Sequence, residues 1–171
     1  MLVRSALSLA VLLLGASAAA ASLAHASAEA YPRFVEDWRI YVNPSGTCSM
    51  SGSLRLPSRE IVDFVLTIGD RRESIQMDII ASRGPSAPSA FEKPARLLIG
   101  GGGAEWEGAV VQVEGGSTTV IFAWDDGLIE ALAASGQIEL TSDYFDLRLP
   151  LPPLGQPIDA VLECSSGLPD P

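Results

Sequence analysis

Histidine is almost missing from this chain, with His25 the only one. It falls inside a segment expected to be removed. The remaining domain then has no means of assembling a Ser-His-Asp or Cys-His nucleophile system, nor a histidine-ligated zinc or copper site. Cysteine is scarce too: Cys48 and Cys164 are the only two. If they bond to each other, thiolate catalysis and iron–sulfur ligation fall away. Positive charge is thin. Eleven basic residues stand against twenty-one acidic ones, a formal charge of −10, and Lys93 is the only lysine. A surface of that sign repels phosphate backbones and anionic lipids, so nucleic acid is disfavoured and a basic partner is the electrostatically natural one.

Long apolar runs are missing everywhere except at the start. There, Arg4 is the only charge before His25, and Ala6-Leu7-Ser8-Leu9-Ala10-Val11-Leu12-Leu13-Leu14 gives way to Ala and Ser. A charged start, an apolar middle and a small-residue end make a secretory signal. A permanent membrane helix needs roughly 20 strongly apolar residues, about twice the Leu/Val-rich part here, so the competing reading of an uncleaved anchor is disfavoured. Ala26-Ser27-Ala28 fits the cleavage pattern and places the cut before Glu29, with a cut near Ala20 or Ala21 as the alternative. Residues 1–28 are then a signal peptide and residues 29–171 a single β-rich domain, periplasmic or secreted, with no stable membrane span after cleavage. No cysteine follows the apolar run to accept a lipid. Cleavage takes away Arg4 and no acid, moving the formal charge from −10 to −11.

Cys48 lies near the start of that domain and Cys164 near its end. In an oxidising compartment such a pair reads as one disulfide closing most of the fold. Loop closure over roughly 115 residues is worth about 4–5 kcal/mol as an upper figure. Two buried free thiols are the alternative.

Periodicity predicts mostly strands. Phe34, Trp38, Ile40 and Val42 mark a first strand over 34–42, ended by the turn Asn43-Pro44-Ser45-Gly46. Thr47 to Leu56 returns as a second, carrying Cys48. Ile61 to Ile68 has β-branched residues on both faces, which predicts a strand covered on both sides. Ile75, Met77 and Ile79 alternate with polar residues as a half-buried strand. Residues 83–95 read as loop, and Leu97-Leu98-Ile99 as strand. Val111 and Val113 lead into Gly115-Gly116 and Thr118, Val120 and Phe122 lead out, a hairpin with a two-residue turn. Asp125 or Asp126 caps a helix through Leu128, Ile129, Leu132 and Ala133, with Gly136 as its left-handed stop. Ile138 to Leu149 makes two more strands. Pro157 starts a second helix at its first position, with Ile158, Val161, Leu162 and Cys164 on one face. The expected architecture is an antiparallel β-sandwich or curled sheet with one or two short helices packed on it.

The order of features resembles the invasion-associated locus B family of alphaproteobacterial periplasmic proteins. The places are taken by Asp37-Trp38-Arg39-Ile40, Thr47-Cys48-Ser49-Met50, the Leu/Ala helix Leu128 to Gly136, Asp146-Leu147-Arg148-Leu149-Pro150, and the closing Ala160-Val161-Leu162-Glu163-Cys164. The resemblance spans about residues 34–165. It departs at Val42, where the family pattern has a first-strand Cys, and in lacking a middle Cys pair. It implies secretion, a β-rich fold and association with the cell envelope or with a host. It carries over no catalytic residue.

Carboxylate chemistry survives the loss of histidine. Glu105 and Glu107 flank Trp106, and Asp125-Asp126 follow Trp124, arrangements a glycosidase could use if the acids face each other across the fold. Solvated acids and a helix cap are the simpler account. Asp125-Asp126 and Asp143 with Asp146 lack the loop spacing of a calcium site. Gly100 to Gly103 lacks the Lys-Ser/Thr of a phosphate loop. Trp38 and Trp124 read as core strand residues. Trp106, in the polar, glycine-bounded segment Gly103 to Gly108, has two readings: an indole folded back over a sheet edge, which is slightly favoured, or an exposed loop aromatic ringed by acids, suited to a cationic or sugar ligand. The candidate ligand site is therefore Trp106 with Glu105 and Glu107; no catalytic residue, metal or cofactor is expected. Three functions follow: an envelope or secreted binding protein, non-enzymatic, for a protein or envelope component; an inhibitor of a basic hydrolase such as lysozyme; and a carboxylate-based glycan hydrolase.

Overall fold

A computed structural model describes residues 31–69, 72–81, 93–100, 103–114, 117–143 and 145–168. The expected signal segment 1–28 and the turn residues Gly115 and Gly116 lie outside them. The chain runs β1 (Arg33–Val35), β2 (Trp38–Val42), β3 (Cys48–Arg55), β4 (Ile61–Ile68), β5 (Ser74–Ala81), β6 (Lys93–Ile99), β7 (Glu105–Glu114) and β8 (Ser117–Ala123). It continues through α1 (Asp126–Ala134), β9 (Ile138–Ser142), β10 (Phe145–Leu149) and α2 (Gly155–Gly167). All ten strands form one antiparallel sheet in the order β1-β2-β3-β4-β5-β8-β7-β6-β9-β10. β1 and β10 each have one strand neighbour, so the sheet curls without closing.

One face of the sheet is apolar by alternation. Ile40, Met50, Phe64, Leu66, Ile75, Met77, Val120, Leu97 and Leu140 point inward and are fully buried, because residues two apart share a face. Both helices serve that face. α2 packs on β1 to β4 and against α1, burying Pro157, Ile158, Ala160, Val161 and Cys164. The outer face carries polar pairs, Ser49 with Thr67 at 2.8 Å and Ser53 donating to Asp63 at 2.6 Å, beside the exposed Ile61 and Ile80.

The structure corrects several expectations. The first strand is a hairpin, β1 and β2, turned at Glu36-Asp37, where Glu36 takes a φ of 52°; Phe34, expected to face inward, is 73% exposed. β4 is covered on both sides only at its end, where Leu66, Thr67 and Ile68 are all buried; at its start the outer face is open and Ile61 is 52% exposed. β6 starts at Lys93 and takes in Pro94, which pairs Ala109 of β7 just before the β9 ladder begins at Ala95. A strand tolerates a missing N–H where one partner has run out. A bulge between Val110 and Gln112 puts Val110, not Val111, opposite Val120. α1 stops at Ser135 in extended backbone, its N–H on the Leu132 carbonyl, so Gly136 supplies no left-handed cap. Pro157 is the third residue of α2, still within the turn whose N–H groups have no helical partner. Trp124 follows β8 and is half-buried.

Candidate functional site

Trp106 and its two acids belong to a strand, not a loop. In the β6–β7 ladder Leu97 opposes Trp106, Arg96 opposes Glu107 and Leu98 opposes Glu105. Alternation then separates the three residues. Glu105 and Glu107 stand on the exposed outer face, while Trp106 turns to the other and packs half-buried against the core. Arg96 lies beside both acids, its Nε 3.4 Å from a Glu105 carboxylate oxygen. The aromatic and the acids share no surface, so the acid-ringed platform does not form here. Glu107 instead borders an outer cleft of about 460 Å³ whose lining includes Lys93, Pro94 and Arg96.

The other acids of interest have local work. Asp125 accepts from the Leu128 N–H at 2.9 Å and caps α1. Asp126 accepts from the Trp124 indole Nε1 at 3.0 Å. Arg72, in left-handed backbone, lays its guanidinium 5.7 Å over the Trp124 ring and donates to Ser166 of α2. Together these contacts tie the β4–β5 turn to both helices. Asp143 and Asp146 are exposed. Among the described residues no three or more metal-ligating side chains gather.

Cys48 and Cys164 are bonded, with Cα atoms 6.0 Å apart across 116 residues of sequence. Cys48 points inward from β3 beside Met50, and Cys164 comes from the buried face of α2. Both are essentially inaccessible, at 1% and 0%.

Two features escaped sequence reasoning. The first is a cleft of about 350 Å³ where β2 and β3 meet the segment after β10, floored by Trp38, Leu54 and Leu151 and rimmed by Asp37, Arg55 and Pro152. Trp38 fits there because Gly52 leaves room: a Cβ at Gly52 would stand 2.8 Å from the indole. The second is a groove of about 410 Å³ between β1 and α2, lined by Arg33, Phe34, Val35, Gln156, Asp159, Ala160 and Glu163. Within it Arg33 ion-pairs with Glu163 and stacks 5.3 Å over Tyr31. The Glu163 hydrogen bond raises the Arg33 guanidinium further above its ordinary value. Desolvation holds the Tyr31 phenol above the usual tyrosine range, partly countered by Arg33. An edge aromatic such as Phe34 could have been found in the sequence only by recognising the turn at Glu36-Asp37, whose residues carry no glycine or asparagine signal.

No family model and no curated protein matches this chain. A solved structure does: the crystal structure of invasion associated protein B from Bartonella henselae, with a TM-score of 0.57 and 16% identity. The match covers 78% of this chain and 97% of that one. What the match shows is a likeness of fold.

Proposed function

We propose that this protein works outside the cytoplasm as a non-enzymatic binding protein of the cell envelope or of a host-facing surface. The observation that carries the reading is the buried Cys48–Cys164 bridge, which fastens the last helix to β3. A disulfide in that position forms and persists where the compartment is oxidising. The apolar segment at residues 6–14 supplies a route to such a compartment, and the fold shared with an invasion associated protein is in keeping with it. Binding is favoured over turnover because the acids in view cap a helix, anchor an indole or face water beside Arg96. A protein or envelope component of basic character suits the formal charge of −10.

Fractionation of expressing cells, followed by intact-mass measurement, tests this reading. The expected species is periplasmic or secreted, begins at Glu29 and lacks two hydrogens relative to the free dithiol. Recovery from the cytosol with residues 1–28 attached and both thiols free overturns it. The same charge favours a second reading, an inhibitor of a basic hydrolase such as lysozyme, which a lysozyme activity assay at low ionic strength decides.

A further inference from the structure

Resting on that binding reading, we propose that the groove between β1 and α2 receives an extended, basic segment of a partner protein, laid beside β1 as an added strand. β1 is the last strand at its end of the sheet. Val35 pairs with Trp38 across the two-residue turn, and Arg33 pairs with Ile40. Pairs in an antiparallel ladder alternate between bonded and non-bonded, and the pair closing a two-residue turn is bonded. The Phe34 N–H and C=O therefore point to the free edge. Among the described residues Phe34 is also the most exposed large hydrophobic side chain, at 73%. An open backbone pair and an uncovered aromatic thus sit at one residue, on the strand that forms one wall of the groove.

The opposite wall sets the preference for charge. Arg33 is engaged by Glu163, which leaves the exposed Asp159 carboxylate with no side-chain partner among the described residues and the groove with net negative charge. Behind this edge, Arg33 Nε and the Tyr31 hydroxyl are buried and make no hydrogen bond among the described residues. The arrangement fits a short extended peptide that exchanges two backbone hydrogen bonds with Phe34 and rests an apolar side chain on the Phe34 ring. A Lys or Arg of that peptide would reach Asp159. Strand addition of this kind draws affinity from main-chain bonds and specificity from alternate side chains. A second copy of this chain is disfavoured as the occupant, because two molecules of charge −10 repel. Pro32 has no N–H to extend the ladder, so the added strand is short and the side-chain contacts decide which peptide binds.

The test is selection of a randomised dodecapeptide display library on the exported protein as the cells produce it. The enriched peptides are expected to be net basic with an apolar residue. Each should bind at least tenfold more weakly to Phe34→Ser and to Asp159→Lys, whose thermal midpoints stay near the parent's. Glu107→Lys makes the same charge change in another cleft and is expected to shift affinity less than threefold. Amide exchange at Phe34 should slow on binding. No enrichment, enrichment without basic character, indifference to Phe34→Ser, or equal loss from Glu107→Lys overturns the groove. Failure of export instead removes the compartment reading, and fractionation reports it separately.

Discussion

Gly108 of β7 faces Phe122 of β8, and the Phe122 ring occupies the space a side chain at 108 would need. A Cβ there would lie 2.6 Å from the ring and 2.8 Å from the Ile121 carbonyl oxygen. The backbone contact leaves no easy relief. Gly108→Ala is therefore expected to cost about 1–3 kcal/mol in urea unfolding, the range for an overpacked core. Tyr31 supplies a pH signature. Its phenol is held neutral in the folded state, mainly by desolvation. Its contribution is thus complete below the ordinary tyrosine value near 10 and is lost as pH rises through the higher folded value. Tyr31→Phe should abolish that alkaline loss. Because the hydroxyl has no hydrogen-bond partner among the described residues, the same substitution should leave neutral-pH stability within about 0.5 kcal/mol. Unfolding curves from pH 7 to pH 11, with absorbance titration of the phenols, check both outcomes.

Among the elements, α2 is the one whose position is fastened covalently. Its apolar face covers β1 to β4, and Cys164 joins it to β3. The bridge confines the unfolded chain over 116 residues. Replacing both cysteines by alanine is expected to lower unfolding free energy by up to about 4–5 kcal/mol. The single-residue accessibilities of 1% and 0% carry a second outcome: a thiol reductant should leave the native protein oxidised and reduce it only when denaturant is present. Rapid reduction under native conditions would mean that α2 opens on its own. The Arg33–Glu163 pair and the Arg72–Trp124–Ser166 contacts hold the same helix at two further points, but they are exposed and contribute little beside the bridge.

For the molecule as a whole, charge dominates encounter. A protein of formal charge −10 attracts basic partners over a distance that salt shortens to about 8 Å at physiological ionic strength. Its affinity for a basic partner, lysozyme or a selected basic peptide, is expected to fall severalfold between low and high salt, mostly through slower association. Surface-resonance kinetics separate the two rate constants. An affinity indifferent to salt would put the recognition in apolar contacts alone.

Much of this architecture is legible in the chain because it is written locally. Alternation at Ile75, Met77 and Ile79 predicts a half-buried strand, and all three are buried. Asp125-Asp126 before Leu128 predicts a helix cap from one or the other, and Asp125 is the one that caps. The lone cysteine pair predicts a bridge between strand and terminal helix, and it is bonded. What only the tertiary structure decided is register and coverage. Glu105-Trp106-Glu107 reads the same whether it lies in a loop or a strand; pairing with Leu98, Leu97 and Arg96 sends the indole inward and the acids out. Phe34 looks like a core aromatic until a turn at Glu36-Asp37 makes it an edge residue. The joining of β5 to β8, and the open end at β1, arise from contacts between distant segments. Side-chain periodicity is a property of neighbours in the chain, whereas the facing of a strand and the vacancy of an edge depend on which partners the curled sheet brings alongside.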